Sequence, residues 1–297
     1  MRFAFAGTAP FAGLVFTGLA EAGALPCALV TNPGRPRGRH GTPVSPEIKE
    51  MALARGVPVF QPPRLAAPAD ATALLELAPE ILVACAYGRI VGPAFLDALP
   101  AVVVHPSPVP RWRGAAPVER ALMAGETELG VAVLRMTAGV DEGPVGFEQA
   151  VHVPRSADAG AAYEALAPVA VGGVRRVLAA IAAGTVEWRP QAGPASYAAK
   201  IGADDKAIDW SRPAQEIVDQ VRALSPHIGA QTELLGKRTR IWRAAAGEGP
   251  LPAPTAGHLA LAAGAGWVDV LELQQEGRKR TTAAEFLRGA GRALAGS

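Results

Sequence analysis

The chain has 297 residues, 49% of them apolar, enough for two ordinary domains with a substantial core. Its 29 basic and 27 acidic residues leave a net charge of +2, which excludes a globally basic nucleic-acid binder and makes any basic site local. Most of the basic residues are arginine. With the abundant Ala, Gly and Pro, this reflects a base-composition bias, so a single Arg is not by itself a functional signal. Cys27 and Cys85 sit in apolar surroundings at a spacing that matches no metal motif. They read as buried, reduced thiols of a cytoplasmic protein. Residues 1–24 resemble a secretion signal only superficially. The apolar run breaks at Ala6-Gly7-Thr8-Ala9-Pro10, and Arg2 is its one positive charge, so a first strand, a turn and a helix fit better. No uninterrupted apolar run reaches membrane-spanning length without Gly, Pro or charge, and no membrane partner is expected.

In chain order, residues 2–6 read as a buried strand, 11–22 as a helix and 28–31 as a second strand. A long polar loop covers 32–46. Residues 47–55 are helical, 57–60 extended, 70–77 helical and 81–86 a third buried strand. Residues 102–104 and 131–136 supply two more strands. This alternation predicts a mostly parallel α/β sheet covered on both faces. An Ala-rich helix over 161–183 closes that domain, and 184–194 reads as an exit segment. Beyond residue 200, 208–210 is extended, and a helix over 214–224 opens on Ser211 and Pro213. Short strands over 232–235, 238–242, 258–262 and 267–273, punctuated by Gly236, Gly257 and Gly266, suggest a small barrel.

Sheets of this kind bind ligands at the carboxyl ends of their strands. His105 follows the 102–104 strand, and Asp141 lies in the Gly139-Val140-Asp141-Glu142-Gly143 turn after the next, so both can reach one sheet edge. A His paired with a carboxylate suits acid–base work near neutral pH. A His beside a proline also reads as a structural group. Gly7 opens a first turn, but no Gly-x-Gly-x-x-Gly follows, which disfavours a dinucleotide. Arg35, Arg37, Arg39 and His40 stand among glycines and prolines, a composition that suits phosphate contact or an ordinary solvated loop. Arg238, Arg240 and Trp242 would share one face of a strand, which suits an RNA backbone or, again, plain solvated charge. Arg278-Lys279-Arg280 is a second basic cluster.

The run Arg111-Trp112-Arg113-Gly114-Ala115-Ala116-Pro117, with Ala86-Tyr87-Gly88 and the Gly139–Gly143 turn, resembles the formyltransferase domain of the methionyl-tRNA formyltransferase family. The likeness extends to Phe5-Ala6-Gly7-Thr8, the Asn32–Arg39 loop, Ile208-Asp209-Trp210-Ser211, Ile241-Trp242-Arg243-Ala244 and residues 274–287. It implies a Rossmann-like formyltransferase domain over 1–189, a linker over 190–206, and an OB-like tRNA-binding barrel over 207–297. It also implies 10-formyltetrahydrofolate as co-substrate without a metal, methionyl-initiator tRNA as acceptor, and a cytoplasmic monomer acting in translation initiation. By the same resemblance His105 and Asp141 are catalytic. Ser107, Pro108, Val109, Pro110, Tyr87, Gly88 and Val140 line the folate site, and Arg35, Arg37, Arg39, Arg238 and Arg240 touch tRNA. One position departs from the family. Its catalytic Asn, two residues before the His, is Val103 here. Two rivals therefore stand: a formyltransferase or formyl-folate hydrolase on another acceptor, and a weak or silent homologue that binds folate or tRNA.

Overall fold

The computed structural model describes residues 1–37, 42–252 and 258–294. Two compact units interleave along the chain. The first comprises Met1–Pro117, Glu128–Val151 and Tyr163–Ala198; the second comprises Val118–Thr127, His152–Ala162 and Ala199–Ser297. This differs from the expected 1–189, 190–206 and 207–297 in two respects. Two internal segments join the second unit, where the buried Arg222 guanidinium donates to the main-chain oxygens of Leu122 and Glu126, both at 3.2 Å. Residues 190–198 belong to the first unit and are not a free linker, because the Ser196 oxygen accepts the Arg113 amide and the Ala198 oxygen accepts the Ala115 amide.

In chain order the elements are β1 (Phe3–Gly7), α1 (Pro10–Glu21), β2 (Ala28–Val30), β3 (Arg35–Arg37), β4 (Thr42–Val44), α2 (Glu47–Leu53), β5 (Val59–Phe60), α3 (Thr72–Leu75), β6 (Ile81–Cys85), α4 (Pro93–Ala98), β7 (Ala101–His105), β8 (Arg113–Gly114) and α5 (Pro117–Met123). They continue as β9 (Glu128–Arg135), β10 (Val145–His152), α6 (Ala159–Ala182), β11 (Tyr197–Ala198), α7 (Ala214–Leu224), β12 (Ala230–Leu234), β13 (Lys237–Gly247), β14 (Leu259–Ala262), β15 (Trp267–Gln275), β16 (Thr281–Thr282) and α8 (Ala283–Leu294).

The first unit is built on a seven-stranded sheet ordered β10-β9-β7-β6-β1-β2-β5. The strands from β5 to β7 are parallel, and β9 runs antiparallel to β7. Central strands of parallel sheets are covered on both faces, so they read as continuous apolar runs. Accordingly all five residues of β1 and of β6 are buried. Pro10 starts α1 at the helix position where a missing N–H costs nothing. Before it, Gly7 leaves no room for a side chain, since a Cβ there would lie 2.6 Å from Ala12 Cβ and 2.9 Å from the Cys85 oxygen. α6 is long and apolar enough to cross a membrane by length and composition alone. Here it buries Leu166, Ala170, Val174 and Val177, and it packs Val171 on Gly18 of α1 and Gly173 on Phe147 of β10.

Several local expectations change. The stretch 32–46 contains the antiparallel pair β3 and β4, so it is not wholly irregular. The helix expected over 70–77 is a 3-10 turn at Pro68–Ala71 followed by α3 alone. α4, α5 and β10 were not anticipated.

The second unit is an antiparallel sheet ordered β12-β13-β15-β14, with β16 paired to β15. α7 packs Ile217, Val221 and Leu224 into a core with Ile241, Val268, Val270 and Leu273. Its other face buries Asp219 and Arg222, whose side chains bond at 2.6 Å.

Candidate active site

Four parallel strands end side by side, and their ends carry the polar residues. β7 finishes on His105, which is 4% exposed. Its Nε2 lies 2.8 Å from the Trp112 oxygen, and its Nδ1 lies 3.5 Å from Asp141 Oδ2. A carbonyl only accepts, so Nε2 carries the hydrogen there, and Nδ1 faces the carboxylate. Ser107 Oγ donates to the Arg111 oxygen at 2.8 Å, which folds the run after His105 back on itself.

Asp141 reaches the pair by a return path. Because β9 is antiparallel, it ends beside the amino end of β7, where the Met136 amide bonds the Ala101 oxygen. The turn after it doubles back to His105. Asp141 itself sits at φ 53°, a left-handed conformation that costs a non-glycine residue about 1–2 kcal/mol. Three bonds hold it. Gly114 N donates to Asp141 Oδ2 at 2.9 Å, and Gln191 Nε2 donates to the oxygens of Asp141 and Gly143, both at 2.8 Å. Gln191 Oε1 in turn accepts Arg113 Nε at 3.0 Å and Nη2 at 2.8 Å. Trp112, at φ 58°, is tied by its amide to Ser196 Oγ at 2.9 Å.

The remaining expected residues divide. Tyr87 is buried after β6, Gly88 is exposed beside it, and Val140 is exposed next to Asp141. Burial raises the Tyr87 phenol above its ordinary range, against the opposing charge of Arg89. Among the described residues, the Tyr87 hydroxyl and Asn32 Oδ1 are buried without a hydrogen-bond partner. Asn32 Nδ2 meanwhile joins three strand ends by donating to Thr8 Oγ1 at 3.0 Å and to the Tyr87 oxygen at 2.7 Å. Val109 and Pro110 are buried, and Pro108 is half-buried. Val103 is half-buried too, packed on Val109, Ala132, Leu134 and Val145. Arg35 and Arg37 lie on β3, and Arg39 lies outside the described residues. Sequence reasoning passed over Gln191 and Asn32, whose bonds run to residues distant in the chain.

In the second unit Arg238 and Arg240 are exposed on β13, alternating with the buried Thr239 and Ile241. A cavity of about 530 Å³ there is lined by both arginines, Gln231, Gln274 and Glu276. Arg240 and Trp242 both pack on Gly229, as sharing one strand face requires. Arg280 lies 5.2 Å over the Trp242 ring, a cation–π contact.

Fold and pair together define an α/β unit with a His–Asp pair beyond the strand ends, and an antiparallel-sheet unit. The chain belongs to the formyl transferase family. The family's formyl transferase model matches residues 1–178, and its C-terminal domain model matches residues 200–291. The methionyl-tRNA formyltransferase of Symbiobacterium thermophilum is 38% identical, over 98% of this chain and 93% of that protein. That of Pelotomaculum thermopropionicum is 38% identical, over 97% and 96%. Among solved structures, methionyl-tRNA formyltransferase from Clostridium thermocellum matches with a TM-score of 0.58 at 14% identity, over 82% of this chain and 93% of that one. HypX from Aquifex aeolicus, in complex with tetrahydrofolic acid, matches with a TM-score of 0.67 at 20% identity over 100% of this chain. The chain spans 48% of the length of HypX.

Proposed function

We propose that this protein transfers the formyl group of 10-formyltetrahydrofolate to the α-amine of methionyl-initiator tRNA, as a cytoplasmic monomer serving translation initiation. The observation that carries this reading is the 38% identity to methionyl-tRNA formyltransferases over nearly the whole chain, second unit included. The geometry supports it. The amine nitrogen attacks the formyl carbon, the carbonyl oxygen takes up negative charge, and the bond to the folate nitrogen then breaks. The amine's proton must leave and the folate nitrogen must gain one, so a single shuttling group suffices. His105 fills that role. With Nε2–H held on the Trp112 oxygen, Nδ1 is the nitrogen that takes up the proton, and Asp141, 3.5 Å from it, balances the charge that results.

On this reading the folate lies along Ser107, Pro108, Val109, Pro110, Tyr87, Gly88 and Val140, which follow β7, follow β6 or stand beside Asp141. Pro108 and Val109 keep that wall apolar enough to pack a pterin. Arg35, Arg37 and Arg39 reach the acceptor stem. Arg238 and Arg240 take RNA phosphates on the β13 face of a domain that we read as OB-like. On this reading folate binding and chemistry belong to the first unit, and tRNA is met by the 35–39 stretch of the first unit and by the β13 face of the second.

One observation favours a second reading, a slow or silent homologue. Val103 offers no donor to the developing oxyanion, and losing one such donor costs on the order of 100- to 1000-fold in rate. A single-turnover assay with methionyl-initiator tRNA and 10-formyltetrahydrofolate separates the two. Formyl-methionyl-tRNA forming in step with tetrahydrofolate supports the transferase. Folate binding without transfer supports the silent homologue, and formate released without tRNA points to a hydrolase.

A further inference from the structure

We propose that Gln191 is a positioning residue that sets Asp141 against His105; the inference rests on the His105–Asp141 pair being the catalytic one. The turn that carries Asp141 leaves β9 at the wrong end of β7 and must be held in its return path. Its left-handed Asp141 resists that path, so something outside the turn has to fix it. The structure shows what does. The Gln191 amide donates to two carbonyl oxygens of the turn, those of Asp141 and Gly143, each at 2.8 Å. Its own oxygen faces the Arg113 guanidinium edge at 3.0 and 2.8 Å, which settles which end of the amide points where. The next residue, Gly114, donates to the Asp141 carboxylate at 2.9 Å. One side chain thus ties the main chain of Asp141 to the segment that holds its carboxylate. Only an amide can do this, because the task needs N–H donors at one end and an acceptor at the other. Asp141 is 50 residues away in the chain, and Gln191 sits in the Pro190-Gln191-Ala192-Gly193-Pro194 stretch, whose composition reads as a linker.

The test uses the full-length protein with Gln191→Met, which keeps length and loses both polar ends. Gln191→Glu is made beside it, keeping the acceptor for Arg113 and losing the donors. Two quantities are read: steady-state formylation, and the NMR shifts of the His105 imidazole nitrogens without substrate, assigned against His105→Ala. For both variants we expect kcat to fall roughly 10-fold or more with the folate KM little changed, because misplacing a reacting group costs rate before binding. The His105 shifts should move as the partner of Nδ1 is displaced. A purely structural glutamine would leave those shifts where they are in any folded variant. A kcat within about twofold of wild type, or unmoved shifts, overturns the inference. Should Gln191→Met fail to fold, Gln191→Glu carries both readouts. If the wild type itself transfers no formyl group, the functional reading falls and the shifts alone decide. Moved shifts then uphold the clamp, and unmoved shifts overturn it.

Discussion

On the proposed reading, Val103 presents methyl groups at the position where a formyl oxygen gaining charge would call for a hydrogen-bond donor. Val103 is packed on Val109 and Leu134, so nothing in its own side chain can be turned to that use. Val103→Asn should therefore raise kcat by roughly 10-fold or more and move KM less, since the new bond strengthens in the transition state. The amide is unsatisfied without substrate, at a cost of about 1–3 kcal/mol in stability. Rates at saturating folate and methionyl-tRNA, with His105→Ala as the floor, decide the matter. A fast wild type together with a neutral or harmful Val103→Asn would show that another group donates. His105 and Asp141 were legible as residues because each stands in a motif beside a strand end. Gln191 and Asn32 were not. Their partners are mainly main-chain oxygens and a hydroxyl, which leave no mark in a sequence, and they lie 24 to 55 residues away.

At the scale of elements, the continuous apolar runs of β1 and β6 and the amphipathic α7 could be read directly, because burial on both faces or on one stripe dictates them. β10 could not. It lies at the sheet edge with most of its residues exposed or half-exposed, so it shows no apolar run. α5 was hidden by its shortness and by the motif that precedes it, yet it carries a two-bond ion pair of the second unit. Arg120 grips Asp205 with two bonds, of 2.6 and 2.7 Å, and the Gly202 amide adds a third at 2.7 Å. The guanidinium hydrogen bond, followed by the amide, holds the Asp205 carboxyl below its usual range. A depressed carboxylate contributes stability that is present above its unfolded value, and that contribution is lost as pH falls through the folded one. Arg120→Met should accordingly lower Tm at about pH 6, and the gap to wild type should narrow as pH falls below the ordinary aspartate value of about 4. Thermal melts across that range check this, and a gap that stays constant would show that the pair contributes nothing through Asp205.

At the scale of the whole molecule, a net charge of +2 leaves tRNA binding to local clusters. Phosphate contacts release counterions, so the logarithm of tRNA affinity should fall linearly with that of salt. Folate affinity should change far less. Arg39→Ala should weaken use of methionyl-tRNA and spare folate binding, as read by KM for each substrate. Loss of both together would count against an acceptor-stem role. The interleaving of the two units has a consequence for inheritance. Val118–Thr127 and His152–Ala162 are encoded inside the stretch that builds the first unit, yet they belong to the second. A recombination junction near residue 200 would hand over a C-terminal module stripped of Leu122 and Glu126, whose oxygens take the buried Arg222. Such a cassette would arrive with a buried cation short of two acceptors. Shuffling should therefore move both units together.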